Sequence, residues 1–163
     1  VINMSYKFKV KPLAVGYNKL RTAGLASMKS ATFGMVRRNA NGTARAHQGI
    51  DLAVEPNYRC YAVDDGLVVQ TSKGRDGYGW TVTLKLNNGL YVFYAHLSQL
   101  KVTNGEMVKA GHVVGLTGST GNAKGMTNIA KGAHLHFEVR DKAYVTLGLG
   151  GRLNPLDYFS LDS

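Results

Sequence analysis

His134, Leu135, His136, Phe137 and Glu138 alternate polar and apolar with the two-residue period of a strand. His134, His136 and Glu138 then share one face, and Leu135, Phe137 and Val139 the other. If the apolar face meets a core, two imidazoles stand side by side on an open face. His47 and Asp51 form a second group, because the same alternation over Ala46–Leu52 sets His47, Gly49 and Asp51 on one side. Gly49 is expected to leave a gap between imidazole and carboxylate for a bound atom. His47, Asp51 and one histidine of the His-Leu-His strand make a three-ligand set of the kind a catalytic zinc uses, with a fourth position left to water.

The elements that must position these groups read as short strands. Cys60–Val63 and Leu67–Gln70 flank the turn signal Asp64-Asp65-Gly66. Trp80–Leu86 alternates cleanly, and Asn88-Gly89 marks a hairpin into Leu90–Ala95, which delivers His96 at its end. Met107–Gly115 suggests two more short strands about a turn. Gly118–Gly121 opens a long loop without the strand-loop-helix context of a phosphate cradle. Tyr6–Val10 is expected as an edge strand and Tyr17–Ser30 as holding a short helix. Strands linked by tight turns, with 20 Gly and 3 Pro in 163 residues, point to antiparallel sheets and few short helices: a mainly β fold. Residues 1–29 read as an N-terminal extension packing on or leading into a domain spanning 30–163.

Cys60 is the only cysteine, so neither an internal disulfide nor a cysteine zinc site is available. No apolar run approaches the roughly 20 residues needed to cross a bilayer, and no signal peptide is visible. The chain starts at Val1, and a monomer or one domain of a larger protein is expected. A net charge of +10 suits attraction to anionic polymers. The basic residues are spread along the sequence and no nucleic-acid motif accompanies them, so no specific nucleic acid is expected.

His47-x-Gly49-x-Asp51, Tyr94-Ala95-His96-Leu97-Ser98, Gly118-Ser119-Thr120-Gly121, His134-Leu135-His136-Phe137-Glu138 and Asn154-Pro155-Leu156 occur in that order. Together they resemble the lysostaphin/LytM-type zinc peptidases, over about Thr32 to Tyr158. The resemblance implies antiparallel sheets forming a substrate groove, one Zn2+ per chain, and hydrolysis of peptide bonds in bacterial peptidoglycan, in the cell envelope, outside the cell or on a phage particle. It also implies residue roles: His47, Asp51 and His136 as metal ligands, His134 and His96 as catalytic histidines. A water activated by such a metal attacks the amide carbonyl, and no glutamate stands beside the ligands as in His-Glu-x-x-His enzymes. The expected division is His134 as base and His96 steadying the tetrahedral intermediate. Glu138 reads as a salt bridge or a support for the ligands, and His112 as a surface residue.

Two departures stand out from that pattern. Twelve residues, Asn122 to Ala133, separate Gly121 from His134 and are expected to narrow or lid the groove. Arg37 and Arg38 do not align cleanly with the family's arginine. Two other readings stand beside the endopeptidase: a zinc D-Ala-D-Ala carboxypeptidase or dipeptidase, and a non-catalytic wall-binding module on the same fold.

Overall fold

A computed structural model describes residues 6–74 and 76–163. Eleven strands run in chain order: β1 (Gly34–Arg38), β2 (Ala44–His47), β3 (Ile50–Ala53), β4 (Arg59–Tyr61), β5 (Gly66–Lys73), β6 (Trp80–Leu86), β7 (Tyr91–Leu100), β8 (Met107–Val108), β9 (Val113–Thr117), β10 (His134–Arg140) and β11 (Arg152–Leu153). All pairings are antiparallel. β1 and β2 form a separate hairpin, and the other nine strands belong to one sheet. Helical structure among the described residues is confined to four short 3-10 segments. The mainly β architecture is therefore as expected.

β10 is the organising strand. One edge pairs with β7, and the other is shared by β3 and then β11. Its register places Leu135 opposite Leu52, Phe137 opposite Ile50 and Tyr94, and Val139 opposite Val92, all fully buried. Burying such side chains contributes about 1.5–3 kcal/mol each, so the register is costly to slip. The opposite face puts His136 beside Asp51 on β3 and Ala95 on β7. That face is not open, as the alternation suggested: all seven residues of β10 are buried.

Four local expectations fail. Ala46–Leu52 is not one strand; it breaks at Gln48-Gly49 into β2 and β3, which belong to different sheets. A side chain on Gly49 would clash with the Phe137 carbonyl oxygen and sit 2.8 Å from Glu138 Cγ, so this glycine serves close passage over β10 rather than a ligand gap. Tyr6–Val10 forms no strand, and the region expected to hold a helix is irregular except for the 3-10 segment Met28–Ala31. Both segments are instead held by tertiary contacts: Phe8 packs on Tyr158 and Phe159, and Leu20 bridges to Leu52.

The hairpin turn at Asn88-Gly89 is present, with Gly89 at φ +91°. β7, however, does not end at His96. It runs on to Leu100, with His96 at φ +60°.

Candidate functional site

Four histidines and one carboxylate converge at the foot of a groove of about 960 Å³. His47 closes β2 and Asp51 lies on β3, so the chain break at Gly49 turns them toward each other: His47 Nε2 lies 3.0 Å from Asp51 Oδ1. His136 Nδ1 is 3.2 Å from the same oxygen, and His134 Nε2 is 3.8 Å away. One donor atom each from His47, Asp51 and His136 falls within 4.8 Å of the others, close enough to hold a single cation.

His96 reaches the group by a backbone irregularity. Strict alternation on β7 would point it with Tyr94 into the core. Its left-handed conformation breaks the alternation, and the register with β9 shifts between Leu97 and Gln99. The ring then lies 5.0 Å from that of His134 and 6.1 Å from that of His136. A non-glycine residue in that conformation stores on the order of 1–3 kcal/mol of strain, and such strain concentrates at functional sites.

Each imidazole is anchored through one nitrogen, which leaves the other aimed inward. Nδ1 of His47 donates to the Thr32 carbonyl (2.9 Å), that of His96 to Thr120 (2.8 Å) and that of His134 to Gly132 (2.8 Å). A carbonyl only accepts, so these three rings carry a proton on Nδ1 and turn Nε2 inward; where burial keeps the ring neutral, as at His96 and His134, that Nε2 is an acceptor. His136 is turned the other way: Nε2 meets Glu138 Oε2 at 2.7 Å, freeing Nδ1.

Glu138 is wholly buried and is held by charge. Its Oε1 accepts from Arg140 Nε (2.9 Å) and Arg152 Nε (2.7 Å). Burial alone would raise its pKa, but the hydrogen bond to His136 and the two arginines bring it down to about 2. It is an ion-paired support behind His136. Asp51 is likewise held well below the ordinary carboxylate range against burial, by His134, His136 and His47. Burial lowers His47, His134 and His96, the last to about 3. His136 moves the other way, to about 9, because its bonds to Asp51 and Glu138 outweigh burial.

Several groups were not legible as site residues. Asp51 Oδ2 accepts from Arg21 Nη1 (3.2 Å) and Arg37 Nη2 (2.8 Å). Arg21 arrives from the irregular N-terminal stretch, which showed no periodicity. The basic residues, scattered in sequence, are gathered by the fold: Arg21, Arg37 and Arg45 all line the groove. Of the five tyrosines from Tyr58 to Tyr94, only Tyr78 lines it, stacked on His136 with centroids 5.5 Å apart. Asn122 and Met126 of the long loop contribute to the wall. Gly77 and Gly79 of the glycine-rich loop are small because Asn122 and Thr120 pack against them. His112 is exposed and apart from the site, 3.5 Å from Glu106 Oε2.

The antiparallel sheet that carries this groove and its His-Asp-His cluster can be compared with known proteins. The chain belongs to Peptidase family M23, which it matches over residues 45–147. It is 38% identical over 112 residues to the DD-carboxypeptidase/endopeptidase Mpg of Neisseria meningitidis, a match covering 68% of this chain and 24% of that protein. It is 31% identical over 137 residues to the murein hydrolase activator NlpD of Salmonella dublin, covering 84% of this chain and 32% of that one. The matches thus span about a quarter to a third of the length of these curated relatives. The catalytic domain of lysostaphin from Staphylococcus simulans superposes with a TM-score of 0.64 at 27% identity, covering 77% of this chain and 86% of that one. The expected family and fold are both borne out.

Proposed function

We propose that this chain is a zinc-dependent endopeptidase that hydrolyses peptide bonds in the stem peptides or cross-bridges of bacterial peptidoglycan. His47, Asp51 and His136 are the metal ligands in this reading, and His134 and His96 are the catalytic histidines. The observation that carries it is the anchoring of four imidazoles, each through one nitrogen, so that the free nitrogens of His47, His134 and His136 approach Asp51 at the foot of the groove and His96 lies beside His134. Two neutral imidazoles and one carboxylate are a donor set suited to zinc, with room for a further ligand. When bound, zinc supplies Lewis acidity to the scissile carbonyl and acidifies a water.

The proton work falls to the protein. His134 and His96 both present unprotonated Nε2 atoms, so each accepts a hydrogen bond from the attacking water and orients it. His134 takes the proton, because Asp51 Oδ1 at 3.8 Å steadies its imidazolium, and passes it to the leaving amine. His96 has no carboxylate within ion-pair distance among the described residues, and burial holds it neutral. Its resting tautomer makes it an acceptor that positions the water. Donation from His96 to the tetrahedral intermediate, the role expected from the sequence, requires that it first gain a proton.

The name of the Salmonella relative supplies the second reading, a module that activates another hydrolase. The complete set of His47, Asp51, His96, His134 and His136 favours catalysis by the chain itself. Digestion of purified sacculi by the protein alone, with and without chelator, followed by mass analysis of the fragments, tests this. Zinc-dependent release of peptide-cleaved fragments is expected. Intact sacculi, digested only when a second hydrolase is added, would establish the activator instead.

A further inference from the structure

The basic wall of the groove is not used by the proton chemistry. Arg21, Arg37 and Arg45 line it together, and guanidinium groups keep their charge at any relevant pH. Arg21 donates from Nε to the Ala23 carbonyl (2.9 Å) and from Nη1 to Asp51 Oδ2 (3.2 Å). Arg37 donates from Nε to Ser30 (2.9 Å) and from Nη2 to the same Asp51 oxygen (2.8 Å). Arg21 Nη2 and Arg37 Nη1 make no hydrogen bond among the described residues and are not fully sealed, although the Arg21 side chain is only 7% exposed and that of Arg37 20%. Arg45, exposed on β2, makes no ion pair among the described residues. Three arginines thus line a groove that also holds Asp51 and Asp76, and only Arg21 and Arg37 pair with Asp51.

The seat of Arg21 is built. A Cβ on Gly24 or on Gly132 would lie 2.9 Å from Arg21 Nη2, and both glycines adopt positive φ, +76° and +92°. Gly132 also supplies the carbonyl that anchors His134. One turn therefore holds a catalytic histidine and makes room for a guanidinium beside it. Arg21 and Arg37 both lie before residue 45, outside the stretch matched to the family.

We infer that the Arg21–Arg37–Arg45 wall is a carboxylate subsite, so that the groove selects peptides carrying a free carboxylate near the bond to be cleaved. This rests on the reading of the groove as a peptide site. The carboxylate is an acidic side chain or a chain terminus. Either accepts the spare, planar N–H groups of a guanidinium, as charge-assisted bonds require.

Three peptides of one length test it by NMR titration of the zinc-loaded chain: acetyl-Ala-Glu-Ala-amide, acetyl-Ala-Gln-Ala with a free C-terminus, and acetyl-Ala-Gln-Ala-amide. At least one of the two carboxylate peptides should bind about tenfold more tightly than the neutral one and shift the Arg21 and Arg37 side-chain resonances. Which one does so identifies the source of the carboxylate. Arg45→Gln should remove much of that preference while leaving affinity for the neutral peptide and the melting temperature unchanged. Equal affinities for all three overturn the subsite. A preference without guanidinium shifts, abolished by salt, is diffuse attraction to a basic surface and overturns it too. Selective binding without cleavage of sacculi supports the subsite while removing the endopeptidase reading, so the two fail separately.

Discussion

His136 sits between two carboxylates, Asp51 at 3.2 Å and Glu138 at 2.7 Å, and its pKa rises from 6.5 to about 9. Its stabilising contribution to the metal-free chain is therefore complete below 6.5 and lost as pH climbs through about 9. His47, His134 and His96 have the opposite sign. Burial depresses them, so their contribution is present above 6.5 and lost as pH falls. The thermal stability of metal-free protein should therefore peak near pH 6.5 and decline on both sides. Loading with zinc should remove the alkaline decline, since the ligand ring then holds no proton on Nδ1. Differential scanning calorimetry with and without chelator measures both curves. Glu138→Gln leaves Arg140 and Arg152 facing a neutral amide inside the protein. A loss of about 3–5 kcal/mol is expected in urea melts, since breaking a buried pair strands the remaining charges. Zinc affinity should fall about 10- to 100-fold with it, through the freed His136 ring.

At the scale of elements, β7 and β10 bring His96 and His134 together by different means. β10 does so by regular alternation, and β7 by a break in it at His96. His96→Asn should melt close to the wild type, because asparagine tolerates the left-handed region, while His96→Val should melt lower by about 1–2 kcal/mol of strain. Both should lose turnover, so thermal melts separate backbone strain from chemistry.

The same contrast explains what the sequence made legible. The period-two runs of β6 and β10, and the Asn88-Gly89 turn, are local signals that the tertiary structure reinforces. The break between β2 and β3 is not local, because Gly49 is required by the backbone of β10, nearly ninety residues on in sequence. Nor is Arg21, whose segment adheres at the Leu20–Leu52 bridge, flanked by backbone bonds from Arg21 N to the Asp51 carbonyl and from Ala53 N to the Lys19 carbonyl. His47, Asp51 and the His134–His136 pair could be read from residue type and spacing, whereas His96 and the division of roles within the pair rest on the resemblance to the lysostaphin/LytM-type peptidases. The carbonyls of Thr32, Thr120 and Gly132 that orient them could not, since backbone acceptors leave no trace in residue identity.

At the scale of the whole molecule, the stretch from Lys11 to Asn18 is tied to Asp162. Lys11 pairs with Asp162 at 2.9 Å, and Asp162 also accepts from the backbone of Gly16 and Asn18. No helix is long and apolar enough to cross a membrane among the described residues. The net charge of +10 acts over roughly a Debye length, ~8–10 Å at moderate salt. Cleavage of anionic sacculi should therefore slow as ionic strength rises, whereas cleavage of a short uncharged peptide should not. Rates on the two substrates across a salt series check this.

The account stands on one cation held by His47, Asp51 and His136 with His134 outside the ligand set. Quantifying zinc by mass spectrometry in the purified wild type and its variants tests that most directly. One zinc per chain is predicted for the wild type and for His134→Ala, with none retained by His136→Ala or Asp51→Asn. A His136→Ala protein that keeps its zinc, or a metal-free wild type that still cleaves peptide bonds, would contradict it.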